Sequence, residues 1–156
     1  MNQKLFTQLV ETLIEKGFTL SSCESLTAGL FSASVASVPG ASATLLGGVV
    51  SYSAAIKEKV VNVPKDVVEE YGVVSEECAA AMAEGVQNLM DSDLSVSCTG
   101  NAGPSALEGK PVGMVCFGFA DGCSTETLTV QFGVMERNAL REAVCEKMAE
   151  ELLKRL

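Results

Sequence analysis

Histidine is missing from this chain of 156 residues, and so is tryptophan. Without histidine, neither a Ser-His-Asp triad nor a Cys-His pair can form, and most catalytic zinc sites lose their usual ligand. A general base in this protein must therefore be a lysine, a carboxylate, a tyrosine or a water held by the backbone. No other property of the composition restricts the possible chemistry as strongly.

Positive charge is scarce as well: the chain has 11 Lys and Arg residues but 20 Asp and Glu residues, which gives a net charge of −9. Nucleic-acid binding needs clustered basic residues, so this balance argues against a nucleic-acid partner. An anionic small molecule would have to be held by local hydrogen-bond donors against an unfavourable overall field.

Long apolar runs are also absent, so we expect no membrane partner, and the first residues predict a helix rather than a signal peptide. A cytoplasmic protein is the expectation that follows. The length and the ordinary apolar content of 47% predict one globular domain over residues 1–156.

The cysteines show no C-x-x-C spacing, which argues against a Cys-only zinc site or a thioredoxin-like redox motif. Most of them lie in apolar runs, where cysteine behaves as a small core residue. We expect them to be reduced and structural, with no metal site and no cofactor. They are Cys23, Cys78, Cys98, Cys116, Cys123 and Cys145.

Helical and strand patterns alternate along the chain. Helices are predicted at 2–16, 26–37, 64–71, 76–90 and 135–156, with a helical turn at 54–59. Strands are predicted at 18–23, 47–53, 94–98, 113–120 and 126–132, the last two joined by a hairpin at 121–122. This alternation predicts an α/β fold, a three-layer α/β/α sandwich with a mixed, mostly parallel sheet.

The stretch around which the chain is organised runs from Cys23 to Phe31, where a predicted strand passes into a helix. Ser25 or Thr27 is placed to cap that helix, and the free N–H groups of a helix start suit a phosphate or a developing oxyanion. The Ser25 hydroxyl could also act as a nucleophile if a base lies within reach. The alternative is that Ser25 only caps the helix.

Three polar segments leave predicted strands in the same way: Ser25–Gly29, Tyr52–Lys57 and Thr99–Gly103. Ligands in such sheets bind beyond the carboxyl ends of parallel strands, so we expect the three segments to form one pocket. Ser25 and Lys57 should then lie roughly 2.6–3.2 Å apart, or one water apart, beside the start of the third segment.

In that pocket, a lysine kept neutral by partial burial can replace the missing histidine as the base for Ser25, and Tyr52 could relay or orient the proton. Two groups of backbone donors remain as alternatives for the oxyanion or for a phosphate. The first group is Thr27, Ala28 and Gly29, and the second is the loop with Thr99, Gly100, Asn101 and Gly103. The last helix would supply charge to a phosphate through Arg137 or Arg141.

Taken together, the ordered motifs E-S-x-T-x-G, G-G-V-V-S-Y-S-x-x-x-K, G-x-V-S, T-G-x-A-G-P and K-P-V-G resemble the CinA C-terminal domain family. The resemblance extends from Leu13 to about Arg141. It implies a three-layer α/β/α domain, often a homodimer. It also implies a nicotinamide-nucleotide amidohydrolase that converts nicotinamide mononucleotide to nicotinic acid mononucleotide and ammonia without a metal. On the family pattern Ser25 is the nucleophile, Lys57 its base and Tyr52 a supporting hydroxyl.

The sequence departs from the family pattern in several places. Ala28 stands where glycine is common, Ala54 where asparagine is common, and Gly133-Val-Met-Glu-Arg137 where the family has Gly-Asp-Arg. Asn101 replaces an aliphatic residue, and Ser105–Leu107 replaces a glycine-rich stretch. The alternative to the enzyme is therefore a catalytically weak nucleotide-binding or protein-interaction module that retains the family fold. The intact Ser25, Tyr52 and Lys57 favour the enzyme, whereas the altered 101–107 loop favours this alternative.

Overall fold

A computed structural model describes residues 1–156 as five strands and six α-helices. The strands are β1 (Leu20–Glu24), β2 (Leu45–Val50), β3 (Leu94–Gly100), β4 (Met114–Ala120) and β5 (Thr125–Gln131). The helices are α1 (Gln3–Lys16), α2 (Leu30–Ala36), α3 (Ala54–Val61), α4 (Lys65–Tyr71), α5 (Glu76–Met90) and α6 (Arg137–Arg155), with a 3-10 turn at Ala41–Ala43.

The strands form one sheet in the order β2-β1-β3-β4-β5. β1 pairs in parallel with β2 and β3, whereas β4 runs antiparallel to both of its neighbours. Four strands therefore point the same way and only β4 is reversed. The sheet carries helices on both faces, which confirms the predicted three-layer architecture and the mixed sheet.

The two faces of the sheet are packed differently. One face buries large apolar side chains against α1, α2 and α6, with Phe31 of α2 beside Phe6 of α1 and Phe117 of β4 in the same cluster. The other face packs against α3, α4 and α5 through a smaller cluster that includes Cys23, Val61 and other apolar residues. The main core therefore lies on the α1–α2–α6 side.

Small residues let α5 approach the sheet closely. The hydroxyls of Ser95 and Ser97 on β3 donate to the carbonyls of Ala83 and Ala79 on α5. A side chain at Gly118 of β4 would clash with the Ala79 carbonyl. Helix α5 is thus bound to this face of the sheet by hydrogen bonds, and the lack of a side chain at Gly118 lets the helix come close.

Most predicted boundaries are confirmed. Gly17 ends α1 in the left-handed conformation, as its position after the apolar stripe predicts. Ser75 caps α5 by accepting from the N–H of Cys78. The predicted hairpin joins β4 to β5, and the side chain of Asp121 accepts from the backbone N–H groups of the turn.

The helix predicted at 26–37 is wrong in its first turn. Leu26–Gly29 form turns, and α2 begins only at Leu30 because Ala28 and Gly29 both adopt positive φ angles of 49° and 94°. The N-cap is Gly29, which has no side-chain capping bond. Neither Ser25 nor Thr27 caps this helix.

All six cysteines are free thiols, and every one except Cys123 is buried. The burial of five of them confirms their interpretation as residues of the interior, whereas Cys123 lies on the surface. No helix in the structure has the length and apolar character that a membrane span requires.

We predict that Gly85→Ala destabilises the protein. Alanine normally stabilises a helix interior relative to glycine by about 1 kcal/mol. At Gly85, however, a Cβ would overlap the Val61 carbonyl, so α3 and α5 must separate. We expect a net loss of about 1–3 kcal/mol in the free energy of unfolding, measured by urea denaturation. Glu84→Ala, on the exposed face of α5, is the control, and an unchanged or increased stability of Gly85→Ala would contradict the close approach.

Candidate active site

Ser25 lies directly after β1, at the carboxyl edge of the three parallel strands. Its backbone N–H continues the ladder by donating to the carbonyl of Cys98 on β3 at 3.1 Å, and its side chain is almost fully buried. The hydroxyl is therefore presented from a fixed backbone position rather than from a mobile loop.

Glu24 organises the turn that follows. Its carboxylate is buried and accepts hydrogen bonds from the backbone N–H groups of Gly29, Phe31 and Ser32 at 2.9–3.0 Å. It also accepts from the hydroxyls of Ser32 and Ser22. A negative charge at a helix N-terminus is favourable, and here the protein supplies that charge itself. The start of α2 is consequently not available to an external anion.

Two backbone donors in this turn remain without an acceptor in the chain. The N–H of Ala28 donates to the Ser25 carbonyl, and the N–H of Leu30 donates to the Thr27 carbonyl. The N–H groups of Leu26 and Thr27 make no hydrogen bond, although both residues are buried. Buried N–H groups are nearly always paired, so the Leu26 N–H, on a residue that lines the pocket, is a candidate donor to a ligand. Thr27 has no exposed surface and does not line the pocket.

Lys57 approaches Ser25 from α3. The helix begins after Ser53, whose hydroxyl accepts from the N–H of Ile56. The Lys57 Nζ lies 3.0 Å from the Ser25 Oγ and also donates to the carbonyl of Ser51. With only 1% of its surface exposed, Lys57 is among the most buried side chains of the protein.

Burial lowers the pKa of the Lys57 ammonium, because the charged form loses its hydration. Three buried thiols near Lys57 are kept neutral by the same effect. Burial raises the pKa of Cys23 to about 11 and those of Cys78 and Cys98 to about 12. Near neutral pH these thiols supply no thiolate to pair with the lysine and no competing nucleophile.

Ser25 and Lys57 open into a pocket of about 260 Å³ at the carboxyl edge of β1, β2 and β3. The expected convergence of the three segments and the expected Ser25–Lys57 distance are confirmed. Of the other predicted site residues, the pocket is lined by Tyr52, Thr99, Gly100, Asn101, Gly103 and Arg137.

Tyr52 is in the pocket but does not contact Ser25 or Lys57 through its hydroxyl. The Tyr52 side chain is 57% exposed, and its hydroxyl accepts from the Arg137 guanidinium at 2.9 Å. Arg137 also donates to the Gly103 carbonyl at 2.8 Å. The predicted proton relay through Tyr52 is therefore not present in this structure, whereas Arg137 is held at the pocket from two sides.

The loop after β3 is fixed by its own side chains. Asn101 is buried, and its amide bridges the Lys110 carbonyl and the Gly103 N–H. The Glu108 carboxylate accepts from the N–H groups of Val73 and Val74. The loop thus forms one wall of the pocket and is held near both of its ends by these hydrogen bonds, although it contains no regular helix or strand.

Four predicted binding residues lie outside the pocket lining. The Thr27 hydroxyl is buried against the Cys98 thiol, and the N–H groups of Ala28 and Gly29 are already paired, with Ser25 and Glu24. The prediction that Thr27, Ala28 and Gly29 cradle an anion is therefore wrong for Ala28 and Gly29, and the unpaired Thr27 N–H belongs to a residue with no exposed surface. Arg141 is the fourth, and its guanidinium donates to backbone carbonyls of the turn rather than facing the pocket.

A profile of the CinA C-terminal domain matches residues 2–156 of this chain. The chain belongs to the CinA C-terminal domain family. Its relatives in that family include two described as competence-damage inducible proteins, from Listeria welshimeri (44% identical over 133 residues) and Halalkalibacterium halodurans (42% over 154 residues). These matches cover 85% and 97% of this chain but only 32% and 36% of the relatives, so the chain spans about a third of their length.

Crystal structures of CinA superfamily proteins have the same fold. The protein from Escherichia coli superposes with a TM-score of 0.95 at 27% identity, covering 99% of this chain and 90% of that one. The protein from Klebsiella pneumoniae gives a TM-score of 0.93 at 28% identity, covering 96% and 94%. The segments that form the pocket therefore lie in the part of the chain that superposes on these two crystal structures.

Sequence reasoning missed Glu24 and Ser51 as parts of this CinA site. Glu24 carried a signal, since an acidic residue just before a helix start is well placed to take its N–H groups. The contribution of Ser51 is a backbone carbonyl, and no residue type marks such a contact in advance.

We predict that Glu24→Gln lowers the free energy of unfolding by about 2–4 kcal/mol, because hydrogen bonds to a buried charge are worth about 1.5–3 kcal/mol each and the glutamine NH₂ would face N–H donors. Urea denaturation measures the loss. Glu15→Gln, an exposed position on α1, is the control. Equal stabilities of the two variants would contradict the role of Glu24.

A second prediction concerns pH. The pKa of Lys57 is lowered in the folded protein from the ordinary 10.5, so between the two values the unfolded chain binds more protons. Raising the pH through this window stabilises the wild type but not Lys57→Met. The stability of Lys57→Met relative to wild type should therefore fall as the pH rises toward about 10, followed by urea denaturation. A difference that stays constant with pH would show that the lysine is not perturbed.

Proposed function

We propose that this chain is an amidohydrolase that hydrolyses the carboxamide of nicotinamide mononucleotide to nicotinic acid mononucleotide and ammonia, without a metal. The observation that carries the proposal is the buried Lys57 Nζ at 3.0 Å from the Ser25 Oγ in a protein without histidine. Membership of the CinA family supports the choice of substrate, since the resemblance of the motifs implies this activity.

The first step needs a neutral lysine. In that form, an N–H of Lys57 donates to the Ser51 carbonyl while the nitrogen lone pair faces the Ser25 hydroxyl. Lys57 takes the proton from Oγ as Oγ attacks the carboxamide carbon, and a C–O bond forms. The lowered pKa of Lys57 makes the neutral form accessible at a lower pH than for an exposed lysine.

The attack leaves a negative charge on the former amide oxygen. The free N–H of Leu26 follows directly after the nucleophile on a residue that lines the pocket, so it is our choice for the oxyanion donor. This assignment replaces the expected donors at Ala28 and Gly29. It also gives a reason for an N–H group of a buried residue that has no partner within the chain.

The remaining steps return every proton. When the tetrahedral adduct collapses, the C–N bond breaks and the Lys57 ammonium protonates the leaving group, which departs as ammonia. The product is an ester on Ser25. A water then attacks the ester carbon and gives its proton to Lys57, the C–O bond to Ser25 breaks, and Lys57 reprotonates the serine. The acid product is released and the lysine is neutral again.

The phosphate of the substrate must be held by short-range donors, because the protein carries a net charge of −9. Arg137 is the arginine in the pocket lining, and Tyr52 and the Gly103 carbonyl fix its guanidinium there. Arg–phosphate contacts are strong and directional, so Arg137 is our choice for the phosphate.

The second candidate function is a catalytically weak nucleotide-binding or protein-interaction module. The observation that favours it is that Asn101 and Ser105–Leu107, which depart from the family pattern, line the pocket. On this alternative the pocket binds a nucleotide but Ser25 does not react.

The deciding experiment is ammonia release from nicotinamide mononucleotide by the purified protein, with and without a chelator. We expect turnover that the chelator leaves unchanged and that Ser25→Ala abolishes, while Ser124→Ala, on the distant hairpin, keeps it. Binding of the nucleotide without ammonia release would favour the second candidate. Loss of activity in the presence of the chelator would contradict the metal-free mechanism.

We also predict that Arg137→Ala raises KM for the nucleotide about 10- to 100-fold and leaves kcat nearly intact, the pattern for lost uniform binding. Steady-state kinetics measure both constants. Lys59→Ala removes an equal charge from the exposed side of α3 and is the control. If KM is unchanged in Arg137→Ala, the phosphate is held elsewhere, and Lys110 is the next position to replace.

A further inference from the structure

Strand β3 extends beyond the end of β1 at the pocket. β1 ends at Glu24, which lies opposite Cys98 in the parallel register, whereas β3 continues to Gly100. The Ser25 N–H still donates to the Cys98 carbonyl at 3.1 Å, but no backbone hydrogen bond joins the two segments after that one. The end of β3 therefore has no strand beside it where Ser25 begins its turn.

The backbone N–H of Gly100 points into this gap. Backbone groups of successive residues in a strand face opposite edges. The Cys98 carbonyl faces β1, so the N–H of Gly100, two residues on, faces the same edge, whereas the N–H of Asn101 donates to β4. In a continued ladder Gly100 would donate to the Ser25 carbonyl, but that carbonyl accepts from Ala28 instead. The Gly100 N–H is thereby left without its ladder acceptor.

Gly100 is also the donor of its loop that can reach a ligand at Ser25. The N–H of Asn101 is taken by β4, and the N–H of Gly103 donates to the Asn101 side chain. Neither is therefore free to cradle an anion, as was expected for this loop. Gly100, by contrast, is partly exposed and lines the pocket together with Ser25 and Leu26.

We propose that the Gly100 N–H is a second donor to the oxyanion and acts with the Leu26 N–H in the hydrolysis. The inference rests on the proposed amidohydrolase function, to which it adds a catalytic group. Leu26 follows the nucleophile in the chain, whereas Gly100 belongs to the neighbouring strand. Both donors are backbone groups fixed before the substrate binds, and such preorganised donors stabilise a developing charge most effectively.

A side-chain substitution cannot test this backbone donor. A Cβ at Gly100 would clash with the backbone of Met114 and Val115, so alanine would disturb β3 and β4 whatever the N–H does. Glycolic acid in place of Gly100 instead turns the Thr99–Gly100 amide into an ester and removes the N–H without adding a side chain. Because an oxyanion donor acts in the transition state, its loss lowers kcat and leaves KM nearly unchanged.

The ester variant is made by ligating residues 1–97 to a synthetic peptide that begins at the natural Cys98, and the same ligation gives an all-amide reference. Glycolic acid at Gly122 is the matched control, since that N–H lies in the exposed hairpin and also makes no backbone hydrogen bond. For the ester at Gly100 we expect kcat for ammonia release from nicotinamide mononucleotide to fall about 100- to 1,000-fold. The control should keep the kcat of the reference.

A second readout uses the unmodified chain and no nucleotide. A fluorophosphonate forms a P–O bond with Ser25, releases fluoride and places its phosphoryl oxygen where the oxyanion would form. Thr99–Gly100 is the only Thr-Gly peptide of the chain, so ¹³C′-Thr and ¹⁵N-Gly labelling isolates its N–H signal in an NMR spectrum. We expect this signal to move downfield when Ser25 is modified. The signal of Asp121–Gly122, the only Asp-Gly peptide, should stay in place.

The outcomes separate the donor from the substrate. A modified Ser25 with an unmoved Gly100 signal would overturn the donor role, as would an unchanged kcat, or a raised KM with kcat kept, in the ester at Gly100. A moved signal in a protein that releases no ammonia would support the donor and contradict the proposed substrate. A Ser25 that neither reacts with the fluorophosphonate nor turns over the nucleotide would overturn both.

Discussion

The buried carboxylate of Glu24, which accepts five hydrogen bonds, fixes the geometry of the site. Glu24 receives three backbone N–H groups and two hydroxyls, and these bonds tie the end of β1 to the start of α2. Because the charge is hydrogen-bonded throughout and lies at a helix N-terminus, its burial is tolerated. The consequence is a tight turn with two positive φ angles, and Ser25 stands at its beginning.

Lys57 is the second charged residue of the site and, unlike Glu24, it has few hydrogen-bond partners. Lys57 lies in the interior without a carboxylate partner, and its nearest polar contacts are a hydroxyl and a carbonyl. Burial of an unpaired ammonium is unfavourable, and the protein responds by lowering the pKa of the amine. On the proposed function, the burial that weakens the fold at neutral pH also supplies the base for Ser25, which is the usual conflict between stability and activity.

The sequence was informative where a contact follows from topology. Ser25 and Lys57 each follow a strand of the parallel part of the sheet, so their convergence could be predicted from strand order and hydrophobic pattern. The start of α2 could not, because a Ser-x-Thr pattern before small residues resembles an ordinary helix cap. The helix begins later than predicted because the Glu24 carboxylate accepts from N–H groups five to eight residues further along the chain. Helix propensities of single residues do not include such a contact.

Arginine roles were equally hard to assign. Arg137 and Arg141 lie one helical turn apart, and in the sequence both are basic residues near a helix start. In the fold, Arg137 meets Tyr52 at the pocket, whereas Arg141 meets carbonyls that precede it by 114 and 115 residues. Only the packing of α6 against the turn distinguishes the two arginines. The sequence around each arginine does not determine how the helix packs.

The central claim is that Lys57 is neutral when it accepts the proton of Ser25. Its direct test is the titration of the Lys57 side chain, followed by NMR of protein labelled with ¹³C at lysine Cε and assigned with Lys57→Met. The account predicts a midpoint below the ordinary 10.5 that coincides with the rise of kcat/KM with pH. A Lys57 that stays charged throughout the pH range of activity would contradict it.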